Sequence, residues 1–234
     1  MANLFEAPKF IVIEGPIRVG KSTLAQVLAE KLHARRIIEP EDNPFLERFY
    51  RGEPGAAFPA QMWFLLERYE QTRQIHPAGR PETARSAAGS NGLNGSGPVV
   101  ADYLFEKDKI FAYINLSDAE LDLYNRYYQM FRAEAPTPDL VIYLQASPEI
   151  LKQRLKRKRV TQERAMSDAY IEQVVQAYEH FFFHYTASDL LVVDTSEIDF
   201  VNHNEDLQLL LKRLSEPVKG TQYFLPLGAQ STAS

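Results

Sequence analysis

Cysteine is absent from the 234 residues of this chain. A disulfide framework and a cysteine-ligated metal site are therefore excluded, and we expect a reducing, cytoplasmic setting. Long apolar runs are also missing: none approaches the about 18 residues that a membrane-spanning helix needs, so no membrane partner is expected. The net charge of −5 disfavours nonspecific binding of nucleic acid by the surface as a whole.

What remains is an ordinary globular composition, with 45% hydrophobic and 24% charged residues. Short, nearly continuous apolar runs predict five buried strands, at 10–13, 36–38, 99–101, 140–144 and 190–193. Helical spacing of apolar residues lies between these runs, so strands and helices alternate. The alternation predicts a single three-layer α/β domain over 1–234, with a five-stranded parallel sheet covered by helices on both faces.

The clearest motif follows the first predicted strand and opens the first predicted helix. Residues 15–22 read GPIRVGKS, which fits the phosphate-loop pattern G-x-x-x-x-G-K-[ST]. Backbone N–H groups and the positive end of the helix dipole converge at such a loop and attract phosphate. The residues predicted to bind ATP are Gly15, Pro16, Ile17, Arg18, Val19, Gly20, Lys21, Ser22 and Thr23. Lys21 would reach the β/γ-phosphates and Ser22 would hold Mg²⁺. An ordinary glycine turn before a helix is the alternative.

One segment reverses the acidic charge of the chain. Residues 152–164 contain seven basic residues and a single acid, Glu163. A solvated helix end is one explanation, and an RNA-binding patch is another, although no aromatic residues interleave with the charges. Loops at the carboxyl ends of parallel strands share one crevice with the phosphate loop. We therefore predict a mobile lid at 153–165 whose arginines pair with the transferring phosphate.

Two segments lie outside the predicted elements. Residues 77–98 are dominated by small and polar residues, which predicts a flexible surface insertion. A linker between domains is disfavoured, because the residues before it are too few to close a domain. The tail at 217–234 includes apolar residues that can dock, and we expect its last residues to fray.

Four further segments add specific detail: IIEPEDNPFLERFY at 37–50, QMWFLLERY at 61–69, DYLFEKD at 102–108 and FFFHY at 181–185. Together with the phosphate loop they resemble the deoxynucleoside kinase family, particularly its bacterial deoxyadenosine/deoxyguanosine kinase branch. The resemblance runs from about residue 9 to 201 and implies a homodimeric, Mg²⁺-dependent enzyme of nucleotide salvage. Such an enzyme transfers the γ-phosphate of ATP to the 5′-hydroxyl of a deoxynucleoside, here a purine one.

Glu39 matches the residue that serves as the base in this family. It ends the second predicted strand at the rim of the crevice, where a carboxylate can accept the proton of the attacking 5′-hydroxyl. A purely structural ion pair between Glu39 and a lid arginine is the alternative.

Gln61 and Arg68 match substrate-binding positions of the family. They are seven residues apart, which is two helical turns, so both lie on one helix face. The Gln61 amide offers a donor and an acceptor to the edge of a base. A solvated polar face is the alternative, which the apolar neighbours of both residues disfavour.

The resemblance assigns the remaining site residues. Tyr50 and Glu163 match the groups that hold the sugar 3′-hydroxyl, and Asp102 matches an acid that contacts the substrate side and helps to hold Mg²⁺. The lid arginines are Arg157 and Arg159, which join Glu39 and Lys21 as candidate catalytic residues.

Two positions depart from the family pattern. Arg18 stands where the family usually has glycine, and Tyr103 stands where many relatives have arginine directly after an acid. The missing arginine leaves the charge on the substrate side open, with Lys107 or Lys109 as possible replacements.

Other functions remain to be weighed against a deoxynucleoside kinase. GTPases are disfavoured because the chain contains no Asn-Lys-x-Asp sequence. A nucleoside monophosphate kinase, such as a thymidylate kinase, would need a second phosphate pocket, which usually includes an Asp-Arg pair where this chain has Asp102-Tyr103. A noncatalytic nucleotide-binding subunit with the same fold is the third possibility, and the intact set of candidate catalytic residues speaks against it.

Overall fold

The computed structural model describes residues 8–73, 75, 97–158 and 166–226. The strands in this part of the chain are β1 Phe10–Glu14, β2 Arg35–Ile37, β3 Val99–Ala101, β4 Leu140–Gln145, β5 Asp189–Asp194 and β6 Thr221–Phe224. The helices are α1 Lys21–Leu32, α2 Leu46–Tyr50, α3 Ala57–Thr72, α4 Lys107–Asn115, α5 Asp118–Arg132, α6 Pro148–Lys158, α7 Asp168–Phe183 and α8 Asn204–Leu214.

The strands form one parallel sheet in the order β2-β3-β1-β4-β5-β6. β1 lies inside the sheet, with Val12 paired to Ala101 on one side and to Val141 on the other. The order of the strands reverses at this point, so a crevice opens beyond the carboxyl end of β1. The predicted phosphate loop leaves β1 at this crevice.

Alternate residues of the central strands fill two separate cores. On one face Ile11 and Ile13 of β1 pack with Leu24 of α1. On the other face Val12 packs with Tyr143 and Tyr178. Because both faces are covered, the central strands are apolar without alternation, as the sequence indicates.

The predicted α/β architecture is confirmed, with six strands rather than five. The five predicted strands match β1 to β5 to within one or two residues at each end. The sixth strand, Thr221–Phe224, comes from the segment predicted to be a docking tail. Its four residues alternate between exposed and partly buried, a pattern too short and too polar to stand out in the sequence.

Serine side chains cap the amino-terminal ends of two helices that flank the crevice. The Ser147 hydroxyl, next to Pro148 at the first position of α6, accepts a hydrogen bond from the Ile150 amide at 3.4 Å. The Ser167 hydroxyl accepts one from Tyr170 at 3.1 Å at the start of α7. Residues 153–158 of the predicted lid continue α6. Most of the predicted insertion at 77–98 lies outside the described residues, and within the described ranges no helix has the length and apolarity to cross a bilayer.

Candidate active site

A cavity of about 820 Å³ lies at the carboxyl ends of the central strands. Residues 16–23, Arg154 and Arg157 line one end, which we call the donor end. Glu39 and Gln61 line the other end, which we call the acceptor end. The sequence-predicted phosphate and substrate residues therefore meet in one space, as a reaction between two bound molecules requires.

The phosphate loop has the geometry of an anion site. Gly20 caps α1 with a φ of +109° and without a side-chain hydrogen bond, and the first turn of this helix contains no acidic residue. The first backbone N–H groups of α1 are thus open to a phosphate. The Lys21 ammonium donates to the carbonyl oxygens of Gly15 at 2.8 Å and Pro16 at 3.1 Å. Burial, with the nearby Lys107, lowers the pKa of Lys21 to about 8.

Arg18 and Gly20 show two conformational demands of the loop. Arg18 has a φ of +62°, in the left-handed region that glycine occupies freely. A side chain there costs on the order of 1 kcal/mol, so the family's glycine at this position has a physical basis. A Cβ on Gly20 would lie 2.5 Å from Cζ of Phe200, so the loop at 199–202 packs directly on the phosphate loop.

Glu39 lies between two cations at the acceptor end. Its Oε1 accepts a hydrogen bond from Arg68 and another from Lys107 at 2.7 Å, and its Oε2 accepts from Lys107 at 2.9 Å. Burial acts to raise the pKa of Glu39, but Lys107, Arg68 and Lys21 outweigh it and hold this pKa well below its usual range. The ion pairs that the structure describes for Glu39 run to α3 and α4 rather than to the lid.

Asp102 fixes the backbone of Glu39 through a hydrogen bond. Its Oδ1 accepts a hydrogen bond from the Glu39 backbone amide at 2.6 Å. Asp102 is buried and does not belong to the described lining of the cavity, whereas Ser22 does. The two residues predicted to hold Mg²⁺ are therefore placed differently: Ser22 faces the cavity, and Asp102 fixes the backbone of the candidate base.

Gln61 and Arg68 face the cavity together from α3. Gln61 is 4% exposed and Arg68 is 2% exposed, so the alternative of a solvated polar face is wrong. The Arg68 guanidinium bonds Asp108 as well as Glu39, and it lies 4.7 Å from the centroid of the Phe64 ring. Burial raises the pKa of Asp108 to about 6 against the pull of Arg68.

Aromatic side chains form much of the wall of the acceptor end, and we call this part of the cavity the aromatic slot. The cavity is lined there by Tyr50, Phe64, Phe111, Tyr170 and Tyr178. Flat apolar walls with a few polar groups at the edge suit a planar heterocycle. The sequence indicates Tyr50 and misses the other four, because aromatic residues on helices resemble core residues.

Lys107 and Glu14 are two further site residues with little sequence signal. Lys107 begins α4 and contacts Glu39, whereas Lys109 points elsewhere, with its ammonium 5.3 Å from the centroid of the Tyr128 ring. Of the two candidate replacements for the missing arginine, the structure therefore selects Lys107. Glu14 ends β1, and its Oε1 lies 3.9 Å from the Lys107 ammonium.

The donor end is bordered by α6 and the residues after β5. Arg154 donates to the carbonyl oxygens of Thr195 at 2.7 Å and Ile198 at 3.0 Å. Arg157 is 69% exposed and lies 3.6 Å from Asp199. The other predicted lid residues, Arg159 and Glu163, lie outside the described residues.

The family model for deoxynucleoside kinases matches residues 11–219. The chain belongs to the deoxynucleoside kinase family. A deoxyguanosine kinase from Bacillus subtilis is 32% identical over 212 residues, which cover 88% of this chain and 96% of the relative. A thymidylate kinase from Leptospira interrogans is 31% identical over 217 residues, with coverage of 88% and 93%. The structure of a deoxyadenosine kinase from M. mycoides with bound dATP matches with a TM-score of 0.70 and 25% identity, covering 89% of this chain and all of that one.

Family membership confirms three predictions made from the sequence: the resemblance, the α/β kinase fold and a deoxynucleoside kinase as the enzyme class. The roles of individual residues rest on the geometry of the cavity.

Proposed function

We propose that this deoxynucleoside kinase transfers the γ-phosphate of ATP to the 5′-hydroxyl of a purine deoxynucleoside. The observation that carries the proposal is the position of Glu39. An anchored carboxylate, 24% exposed, faces the same cavity as the phosphate loop and lies within an aromatic slot. A hydroxyl bound to Glu39 would be aimed at a phosphate bound by residues 15–23.

In the proposed reaction the 5′-oxygen forms a bond to the γ-phosphorus. The bond from this phosphorus to the β–γ bridging oxygen breaks, and ADP leaves with the electron pair. The proton of the hydroxyl passes to the Glu39 carboxylate. A loose transition state demands positioning more than a strong base, which suits a carboxylate whose pKa is held low. Glu39 therefore acts mainly by orienting the hydroxyl.

The donor-end cations act on the transferring group. Lys21 would leave the carbonyl oxygens of its own loop and bind the β/γ-phosphates. Arg157 and Arg159 would reach the γ-phosphoryl group from the lid and stabilise its charge. Mg²⁺ usually binds to nucleotide phosphates and one or two protein oxygens, and the Ser22 hydroxyl on the cavity wall fits this mode. When bound, Mg²⁺ would neutralise part of the phosphate charge. Asp102 lies outside the described cavity lining and bonds the Glu39 backbone, so it would act on the ion through its negative charge rather than as a direct ligand.

Base selection would fall to Gln61 and the Arg68–Asp108 pair, with Phe64 as a wall of the slot. Amide, guanidinium and carboxyl groups can pair with both edges of a purine. The relatives named deoxyguanosine kinase and deoxyadenosine kinase support a purine. Tyr50 and Glu163 would hold the 3′-hydroxyl of the sugar.

The test is a coupled assay of ATP consumption with each of the four deoxynucleosides. We expect turnover with deoxyadenosine or deoxyguanosine to exceed that with the pyrimidines. Glu39→Gln should lower kcat by several orders of magnitude while nucleoside binding survives, and Glu67→Gln on the exposed face of α3 is the matched control. Absence of turnover with all four substrates refutes the proposal, and activity within a few-fold of wild type in Glu39→Gln refutes the role of Glu39.

A second candidate is a kinase of nucleoside monophosphates, which the similarity to a thymidylate kinase favours. The balance of charges at the acceptor end argues against a monophosphate substrate. Glu14, Glu39 and Asp108 supply three carboxylates against the three cations Arg68, Lys107 and Lys21, so a phosphate dianion gains no surplus of positive charge there. Faster turnover of dTMP or a purine monophosphate than of the nucleosides would reverse the assignment. ATP binding without transfer to either class would favour a noncatalytic subunit.

A homodimer in the cytoplasm completes the proposal. Apolar side chains exposed on α4 and α5 support self-association: Tyr113, Leu123, Tyr127 and Met130. Light scattering should give twice the mass of the chain, and Tyr127→Glu should lower it.

A further inference from the structure

Lys107 is an unusual residue to find at the first position of a helix. It is only 5% exposed and it lines the catalytic cavity. A buried ammonium group is costly unless it is paired. Its partners are Glu39, at 2.7 Å and 2.9 Å, and Glu14, at 3.9 Å. The burial of Lys107 is therefore tied to the candidate base and to the end of β1.

The arrangement around Glu39 is anchored from two directions. Arg68 approaches Oε1 from α3, and Lys107 spans both oxygens from α4. The terminal torsion of a glutamate side chain is broad when it is unrestrained. Contacts to both oxygens fix the plane of the carboxylate, so its open side keeps one direction toward the cavity.

Lys107 also offsets negative charge of the nearby carboxylates that Arg68 alone does not offset. The Arg68 guanidinium is shared with Asp108. Without Lys107, only Arg68 and Lys21 would offset the three carboxylates of Glu14, Glu39 and Asp108. A γ-phosphate approaching the nucleoside would then meet an uncompensated negative cluster, and this repulsion grows as the phosphoryl group moves toward Glu39.

We propose that Lys107 is a positioning residue for phosphoryl transfer, which orients the Glu39 carboxylate toward the acceptor hydroxyl and offsets its charge against the incoming γ-phosphate. The inference rests on the proposed function. In the step that it serves, the hydroxyl oxygen bonds to the γ-phosphorus, ADP leaves with the bridging oxygen, and Glu39 receives the proton. Lys107 takes no part in the proton transfer.

Three single variants test the charge. Lys107→Met removes the ammonium and keeps the length of the side chain, Lys107→Arg keeps a cation, and Lys109→Met removes a charge from the same helix outside the cavity lining. We expect Lys107→Met to lower kcat about 100-fold or more, with the KM for ATP changed less than about threefold. Lys107→Arg should restore kcat to within about tenfold of wild type, and Lys109→Met should match wild type.

A double-mutant cycle tests the action through Glu39 and guards against misfolding. Lys107→Met combined with Glu39→Gln removes both charges of the pair, so neither is left buried and alone. If Lys107 acts through Glu39, Lys107→Met should lower kcat less than about threefold in the Glu39→Gln background. Urea unfolding of each variant separates loss of kcat from loss of folded protein.

Equal losses of kcat from Lys107→Met in the two backgrounds would overturn the inference, and so would an inactive but folded Lys107→Arg. A wild-type protein without turnover on any deoxynucleoside refutes the proposed function, and the inference falls with it. That result differs from an active wild type whose Lys107→Met variant keeps its kcat, which refutes the inference and leaves the function standing.

Discussion

Replacing Glu14 by glutamine should destabilise the fold far more than the loss of one charge suggests. Glu14 is fully buried at the end of β1. Its Oε1 accepts hydrogen bonds from the Gly15 amide at 2.7 Å and the Tyr178 hydroxyl at 3.0 Å, and its Oε2 accepts one from the Leu104 amide at 2.7 Å. One carboxylate thus joins the phosphate loop, α7 and the turn after β3.

The magnitude follows from the donors. A glutamine amide has one oxygen and one NH₂ group, so either the Gly15 or the Leu104 N–H must face a donor. A buried donor left unpaired costs about 1–3 kcal/mol, and a hydrogen bond to a charged group contributes about 1.5–3 kcal/mol. We expect Glu14→Gln to lower the free energy of unfolding by about 2–5 kcal/mol, which for a chain of this size lowers Tm by about 5–20 °C.

Urea unfolding followed by circular dichroism, with a thermal scan, measures both quantities. Glu67→Gln is the control, because that exposed carboxylate on α3 should change stability by less than about 0.5 kcal/mol. A loss below about 1 kcal/mol in Glu14→Gln would mean that the three donors find other acceptors. The reasoning that makes Glu14 a junction of the site would then be wrong.

Three further predictions concern the donor end. Gly20→Ala should weaken ATP binding and lower stability more than Gly55→Ala does. Both glycines have a positive φ, but of the two only Gly20 has a neighbour, Phe200, that an added Cβ would meet. Calorimetry of ATP binding and urea unfolding compare the two variants, and equal effects would contradict a steric clash with Phe200. ATP binding should take up a proton near pH 8.5, because Lys21, whose pKa is about 8 in the free protein, regains its charge beside phosphate. Affinity should then fall as pH rises above 8, and binding heats that are independent of the buffer's ionisation enthalpy would refute this. Arg157→Ala should lower kcat on the order of 10³-fold and hardly change Tm, since the side chain is exposed; wild-type turnover would remove it from the mechanism.

The sequence predicts most of what depends on local spacing. The phosphate loop follows from its own pattern and from the strand before it. The convergence of Glu39, Gln61 and Arg68 follows from strand ends meeting at one edge and from the seven-residue helical spacing. These features need no knowledge of distant contacts.

The choice between Lys107 and Lys109 shows where sequence reasoning stops. Because Lys107 and Lys109 are two residues apart on a helix, their side chains are rotated by about 200° relative to each other around the helix axis. Both lie in the same charged segment, so the local sequence does not distinguish them. Only the packing of α4 against α3 and α7 decides which ammonium meets Glu39. Glu14 is similar, because an acid after an apolar strand gives no sign of the three donors that surround it.

The strand added by Thr221–Phe224 bears on how the chain can be handled in the laboratory. The neighbouring strand β5 contains the apolar run Leu190, Leu191, Val192 and Val193, and it pairs with β4 on one side and with β6 on the other. A version of the protein shortened to residue 219 would lack β6, and the apolar strand β5 would become an exposed edge of the sheet. Exposed apolar edge strands can pair with other chains and so promote aggregation. Because β6 contributes no residue to the described cavity lining, such shortening should reduce soluble yield before it alters turnover per folded molecule. Affinity tags and fluorescent reporters are therefore better attached at the amino terminus than fused close behind Phe224.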